Sequence, residues 1–363
     1  KIKVLKKKGV NLVKLSLESG GKISPLIVPG DLIDGTGLCN ASVFVDDNGD
    51  ILCNIRHVHY TLYHSTLNQK FYSGWGCLCY LNPEDDCRLI TGNYLCKLDP
   101  DTLNVKEYNL IDTSKHDITP VWDFVGLEDA RVFRWEGKLY ICGVRRDTKR
   151  DGEGRMELCE IQYIDGKYKE VSRDRINPPE FTHLEKNWMP VLDEPYHFIN
   201  WPNPTKVYKV DHLNRGEEQV EKGILDVVTS SIVESKTSKV NVENITNRKL
   251  NSPLNLRGGS QVITLGDYYV CCVHETHWWH NETGCKDAMY NHRFIFWDKN
   301  WNYVKVSEAF KFMDGQIEFC CGLAEQGDFL LLSFGFVDNA AYILKMPKSV
   351  LNDLSYITEF EDE

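Results

Sequence analysis

Val125-Gly126-Leu127-Glu128-Asp129-Ala130-Arg131-Val132-Phe133-Arg134-Trp135-Glu136-Gly137-Lys138-Leu139-Tyr140-Ile141-Cys142-Gly143-Val144-Arg145-Arg146 decides the fold. Apolar and polar residues alternate on each side of Glu136-Gly137, and alternation flanking a glycine turn is the signature of a β-hairpin. A carboxylate pair, Glu128-Asp129, opens the first strand, and two arginines, Arg145-Arg146, end the second. Antiparallel pairing brings the two ends to one edge of a sheet. Glu128, Asp129 and Arg131 are therefore expected beside Arg145 and Arg146, and acid beside base at one rim marks a candidate site.

The hairpin has relatives along the chain. Residues 39–57 turn at Asp46 to Asp50, residues 186–201 at Asp193-Glu194, residues 257–275 at Gly266-Asp267, and residues 321–338 at Gln326 to Asp328. Each interval leaves room for a second, more variable hairpin, such as Glu157 to Tyr163 with Tyr168 to Arg173, or Arg293 to Trp297 with Tyr303 to Ser307. Four strands per unit, repeated radially, make a β-propeller blade. The expectation is an all-β, five-bladed β-propeller forming one domain over residues 1–363. Residues 1–24 alternate as strands closing the last blade, and Pro347 to Leu354 reads as a short C-terminal helix. Residues 211–255 read as outer strands and loops of a blade, and the Cys77-to-Cys96 region, with Asp85 and Asp86, as an outer hairpin.

Composition bounds the function. The 363 residues carry a formal net charge of −11, which argues against nucleic acid held on a general basic surface. An anionic ligand would need a local arginine cluster. Nine Trp and seventeen Tyr suit both β structure and sugar binding. No run of 18 apolar residues suggests a membrane span, and the basic start, residues 1–8, lacks the apolar core of a signal peptide. The thirteen cysteines include no Cys-x-x-Cys pair, and most fall within apolar runs, as in Cys271-Cys272 and Cys320-Cys321. A reduced, cytoplasmic setting and no metal site are expected. The sequons at Asn40, Asn244 and Asn281 are then chance matches. Oligomeric state stays open.

Superposing the five hairpins collects a polar set at one rim: Asn40, Arg56, His57, His59, Glu128, Asp129, Arg131, Arg145, Arg146, Lys186, Asn187, Trp201, Asn203, Arg257, His274, Glu275 and Asp338. Structural turns favour Gly, Asn, Asp and Ser, and this set is richer in ionisable groups than that. Asp129 suits a general acid beside a glycosidic oxygen, against the plainer reading of a strand-cap aspartate paired with Arg131. Alternating pleat direction lets only one of Glu128 and Asp129 face a ligand, and Asp129 is the choice. Arg56, Arg145 and Arg146 suit a fork for phosphate, against ordinary ion pairing. Of the adjacent pair Arg145 and Arg146, one is structural. Trp201 and Trp278-Trp279 are either packing or sugar platforms. No Gly-rich phosphate loop, His-Glu-x-x-His helix or Gly-x-Ser-x-Gly elbow is present.

Gly126-Leu127-Glu128-Asp129-Ala130-Arg131 resembles the Gly-x-Glu-Asp-Pro-Arg motif of the β-mannoside phosphorylases and hydrolases of glycoside hydrolase family 130, and of related β-1,2-mannosyltransferases. Phe334-Gly335-Phe336-Val337-Asp338 is similar to that family's late Tyr-Gly-x-x-Asp segment, and Arg257-Gly258-Gly259-Ser260 with Val273-His274 to its penultimate blade. Ala130 stands where the family has proline. The resemblance implies inversion at a β-mannosidic bond, with Asp129 as the acid. It implies no cofactor, but inorganic phosphate or a sugar phosphate as co-substrate, cradled by Arg56, Arg145 and His274, with Lys186 in support. Glu275 would be the water-activating base of a hydrolase, and Glu128 would orient a sugar hydroxyl or an arginine. Asn40, Arg131, Asn187, Trp201, Asn203, Arg257 and Asp338 would bind an oligosaccharide or sugar phosphate. Two other readings stand beside this one: a propeller-type mannosyltransferase using a sugar phosphate or nucleotide sugar, and a glycan-binding propeller without catalysis.

Overall fold

Leu127–Trp135 pairs antiparallel with Lys138–Arg145, from Leu127 opposite Arg145 to Trp135 opposite Lys138. The turn residues Glu136 and Gly137 both have positive φ, 49° and 76°, the geometry whose twist matches that of the flanking strands. Arg155–Ile164 and Lys167–Asn177 extend this hairpin into a four-stranded meander. The computed structural model describes residues 9–28, 37–64, 78–81, 88–211, 236–246, 248–250, 254–280, 284 and 286–362. Asp85, Asp86 and the Asn281 sequon lie outside them, as does much of the 211–255 stretch.

The meander recurs around a ring. Gly37–Val45, Ile51–Val58, Leu89–Leu98 and Val105–Leu110 make one copy. Met189–Pro190, His197–Pro202, Thr205–Val210 and Lys236–Ile245 make another. A third runs from an interrupted inner strand, Leu256–Arg257 and Ile263–Leu265, through Tyr268–His280 and Lys286–Trp297 to Tyr303–Ser307. The last comprises Glu318–Gln326, Phe329–Phe336, Ala340–Pro347 and, from the start of the chain, Lys22–Pro25. The arrangement is all-β and propeller-like. Counted as hydrogen-bonded sheets, however, the larger ones number four rather than the expected five. The shortfall has a local cause: Lys167–Asn177 and Lys236–Ile245 pair in parallel and fuse two meanders into one eight-stranded sheet.

The apolar clusters lie between successive sheets. Phe44 and Leu95 share one with Val132, Phe133 and Phe198, and Met189 and Ile199 share another with Val273 and Trp297. Val270 and Phe294 pack with Leu323 and Phe334, while Leu331 and Ile343 return to Val43 and Ile55 and close the ring. Aromatic side chains make these seams: Phe133 and Trp135 both meet Phe198 edge-on, geometry worth roughly 0.5–1.5 kcal/mol per pair beyond area burial. At the axis the fully buried Gln261 amide donates to Ser42 Oγ (2.9 Å), Val43 O (2.9 Å) and Val132 O (2.8 Å), and its oxygen accepts from Leu323 N (3.0 Å). One side chain thus satisfies inner-strand groups from three neighbouring meanders and ties the centre shut.

The N-terminal expectation holds in part. Lys22–Pro25 does close the last meander, but Leu12–Glu18 is a helix, not a strand. Asn11 caps it, its side chain accepting from Lys14 N at 2.8 Å, and the buried Leu12, Val13 and Ser16 share one helical face. That run fits a helical stripe as well as a strand, and the cap decides between them. The short C-terminal helix is one 3₁₀ segment, Lys348–Asp353. Among the described residues no helix is long and apolar enough to cross a membrane.

Candidate active site

The inner strands carry a repeated distortion where they approach the axis. Pairing slips between Cys39 and Ser42, between Glu128 and Arg131, and between Cys320 and Gly322. Asn40 and Asp129, inside the first two slips, have φ of 44° and 50°, and Asn187 in the third meander has φ of 60°. Such bulges re-aim side chains at the rim of a sheet, and Asn and Asp tolerate the left-handed backbone better than most residues. Close approach is also built in: a Cβ on Gly335 would lie 2.0 Å from Asn40 Oδ1, and one on Gly258 only 1.8 Å from Asn187 O. Glycine is the residue that fits both places.

The bulge overturns the expectation that only one of Glu128 and Asp129 can face the site. Arg56 Nη1 is 2.9 Å from Asp129 Oδ1, and its Nη2 is 3.7 Å from Glu128 Oε2. The guanidinium is itself held by Thr91 Oγ1 (3.2 Å) and Tyr60 OH (3.0 Å). Asn40 Nδ2 donates to Asp129 Oδ1 at 2.8 Å and reaches Asp338 Oδ1 at 3.4 Å. Three carboxyl groups from two ends of the sequence therefore share one arginine and one amide.

Their surroundings split their titrations. Burial pushes Asp129 up, but Arg56 and the Asn40 hydrogen bond together carry it below the ordinary aspartate range. Burial raises Asp338; Arg56 opposes this only in part, and the neighbouring Asp129 charge adds to it. Glu128 is raised for the same reasons. The set keeps Asp129 ionised and makes its neighbours the more readily protonated groups. Tyr290, pushed up to about 12 by burial and by Asp338 and Asp129, marks one wall of the same pit.

A basic group faces these acids. Lys186 is solvent-exposed yet surrounded, as a side chain standing in a pit is. Desolvation lowers it, Asp129 and Glu128 oppose the shift, and Arg257 and Arg146 add to it. Arg257 lies 5.7 Å from the Trp201 ring centroid, and Arg146 lies 4.8 Å from that of Phe124 with Nε bonded to Gly152 O at 3.0 Å.

Other expected members are placed elsewhere. Arg145, expected in the phosphate cradle, is bound instead by Glu157 (2.8 Å) and Asp147 (3.3 Å) inside its own sheet. Of the adjacent arginines, Arg146 is the one whose charge acts on Glu128 and Lys186. Arg131 is fully enclosed, its guanidinium donating to Gly259 O, Asp129 O and Asn187 Oδ1, so it fastens the bulge rather than meeting a ligand. Asn187 is correspondingly occupied and buried. His274 is buried, its Nδ1 2.9 Å from Gly258 O, and burial with the charges of Lys186 and Arg257 keeps the ring neutral, unlike a cationic phosphate ligand. Glu275, proposed as a base, points to the other side of its strand and pairs with Arg293 at 2.9 Å. Asn203 shapes a turn, accepting from Leu250 N at 3.2 Å. Sequence reasoning missed Tyr60, Tyr290 and Gln261; only the spacing of Tyr60, four residues after Arg56, offered any signal.

No family model matches the chain, and no curated protein matches it. Solved structures do resemble it in chain course. β-1,2-Mannobiose phosphorylase from Listeria innocua shares 12% identity over 90% of this chain and 95% of its own, with a TM-score of 0.49. A GDP-Man-dependent mannosyltransferase from Leishmania mexicana shares 12% over 93% and 94%, TM-score 0.48. A mannose phosphorylase from Leishmania mexicana shares 11% over 97% and 96%, TM-score 0.45.

Proposed function

We propose that this protein is a carbohydrate-active enzyme that breaks or forms a β-mannosidic bond with inversion, using phosphate as nucleophile. We also count its blades as five, the fused eight-stranded sheet holding two. The supporting observation is the two-sided pit: Asp129, Asp338 and Glu128 gathered on Arg56 and Asn40, with Lys186, Arg257 and Arg146 facing them. Inversion requires an acid on one face of the sugar and a nucleophile on the other. Guanidinium and ammonium groups suit a phosphate dianion.

In this reading phosphate rests against Lys186, Arg257 and Arg146, replacing the cradle first drawn with Arg145 and His274. Its oxygen attacks the anomeric carbon as the bond to the leaving oxygen breaks. That oxygen takes a proton from the carboxyl set around Asn40. Asp129 touches the sugar; Asp338, bridged to it through Asn40 and raised by burial, is the more readily protonated of the two and supplies the proton. The products are an α-configured sugar 1-phosphate and a shortened acceptor. Run backwards, the same pit extends a glycan from a sugar phosphate, which is the transferase alternative.

The test is incubation with manno-oligosaccharides and inorganic phosphate, followed by ³¹P NMR. Phosphate-dependent appearance of α-mannose 1-phosphate is the expected result. Cleavage without phosphate would replace phosphorolysis by hydrolysis. Binding without turnover of oligosaccharides, mannose 1-phosphate or GDP-mannose would leave only a lectin.

A further inference from the structure

The wall behind the pit changes character partway along one face. Leu52, Asn54 and Arg56 alternate on Ile51–Val58, and Leu95, Asn93 and Thr91 on Leu89–Leu98, with Leu95 opposite Asn54 and Asn93 opposite Arg56. Alternate residues of a strand, and residues paired across strands, project on the same side of a sheet, so these six share a face. Leu52 and Leu95 join the apolar cluster of Val132 and Phe133 on the neighbouring meander. Toward the pit the same face turns polar, and Asn54, Arg56, Thr91 and Asn93 are all buried. Apolar side chains would fill that seam as well, so four buried polar ones require partners.

The partners bracket Glu128 and Asp129. Asn93 Nδ2 donates to Leu127 O at 3.0 Å, and Asn54 Nδ2 donates to Ala130 O at 3.0 Å and to Asn93 Oδ1 at 2.9 Å. Backbone carbonyl oxygens only accept, which fixes the orientation of both amides. The same strand guides the chain into this stretch: Phe124 and Val125 pair in parallel with Leu89 and Ile90, and a Cβ on Gly126 would lie 2.3 Å from Thr91 O. Thr91 Oγ1 in turn accepts from Arg56 Nε at 3.2 Å. One face therefore holds the backbone on each side of the carboxyl pair and the guanidinium that the pair shares. Pairing with Lys138–Arg145 slips between Glu128 and Arg131, so the bulge relies on side-chain donors: Asn93, Asn54 and, at Asp129 O, Arg131.

We propose that Asn93 and Asn54 are positioning residues, a clamp from one meander that sets the bulge of the next and so delivers Glu128 and Asp129 together to Arg56. The inference rests on Asp129 meeting the sugar, as proposed above, and adds that the neighbouring meander imposes its placement. Both asparagines act through backbone carbonyls, so losing either misplaces the carboxyl groups without removing a charge. A misplacement of about 1 Å can cost on the order of 100-fold in rate.

The test is Asn93→Leu, similar in size but without donor or acceptor, read first by ¹³C NMR titration of carboxyl-labelled aspartate and then by kinetics. Ser307→Ala is the control, a buried hydroxyl lost from the outer strand Tyr303–Ser307, where it bonds Phe294 N and Glu308 O. In wild type, burial raises Asp129, and Arg56, Asn40, Arg131 and Lys186 together outweigh it. Asp129, assigned by its loss in Asp129→Asn, is expected to titrate higher in Asn93→Leu as the carboxyl group draws away from Arg56, and unchanged in Ser307→Ala. Turnover in Asn93→Leu is expected to fall roughly 10- to 100-fold, with KM for phosphate within about twofold because the cations are untouched. Asn93→Ser carries the same expectation should Asn93→Leu fail to fold. An unmoved Asp129 titration in a folded Asn93 variant, or an equal shift in Ser307→Ala, would overturn the clamp and leave the pit chemistry standing. A shift confined to the Asn93 variants, in a protein that turns over no mannoside, would uphold the clamp and remove the enzyme.

Discussion

Two clusters of charge meet in the four-stranded unit of Leu127–Asn177 and behave in opposite ways. In the outer strands, Arg145 pairs with Glu157, Arg175 with Glu157 and Glu153, Arg155 with Glu153, and Arg173 with Glu170. Nearly all of these side chains are under 10% exposed, and each has a partner of opposite sign. At the inner rim, Asp129 and Glu128 share one arginine, Asp338 reaches them only through Asn40, and the remaining cations stand across the pit. Carboxylates that each meet an arginine directly, and arginines that each meet a carboxylate, make a structural lattice. Unequal sharing leaves carboxyl groups with divergent proton affinities, which is what acid catalysis requires. Residue type does not separate the clusters; direct pairing of each carboxylate does.

The comparison can be broken at either end. Asp129→Asn is expected to lower turnover by about 10²–10⁴-fold, since it removes the carboxyl group proposed to meet the sugar, and a folded variant retaining full activity would end the catalytic reading. Glu157→Gln leaves two buried arginines short of a partner and is expected to cost about 3–5 kcal/mol of stability by urea denaturation. Activity per folded molecule should persist; if it falls as in Asp129→Asn, the two clusters are one. Lys186→Ala is expected to raise KM for phosphate roughly tenfold with little change in Tm, because an exposed cation is lost.

The smallest effect is the most diagnostic. Asp129 is held below its ordinary value, so its contribution to folding is present above the unfolded value and lost as pH falls through the folded one. Asp338 is held above its ordinary value, so its contribution is complete below the unfolded value and lost as pH rises through the folded one. Asp338→Asn should therefore be more stable than wild type at neutral pH, with the margin shrinking on acidification, and Asp129→Asn less stable. Thermal denaturation from pH 7 to 4 compares them, and slopes of the same sign for both would contradict the split.

Local patterning made the hairpins legible. Alternation around Glu136-Gly137 and its four relatives gave strand positions and the propeller arrangement, because pleat and turn chemistry act over a few residues. The same rule misled where the pleat is interrupted. It put Glu128 and Asp129 on opposite faces, and the bulge at Asp129 put both within reach of Arg56. It left Arg145 and Arg146 interchangeable, and the charges on the neighbouring strand, Glu157 above all, claimed Arg145.

By itself the sequence determined that this chain forms repeated antiparallel hairpins, and that polar and charged residues collect where their strands begin and end. Tertiary structure alone decided which of those residues meet. Asn40 joins Asp129 across 89 residues and Asp338 across 298, and Arg56 reaches Asp129 across 73. Contacts of that span are set by ring closure and by how many opposite charges surround each group. Neither is a property of any local stretch.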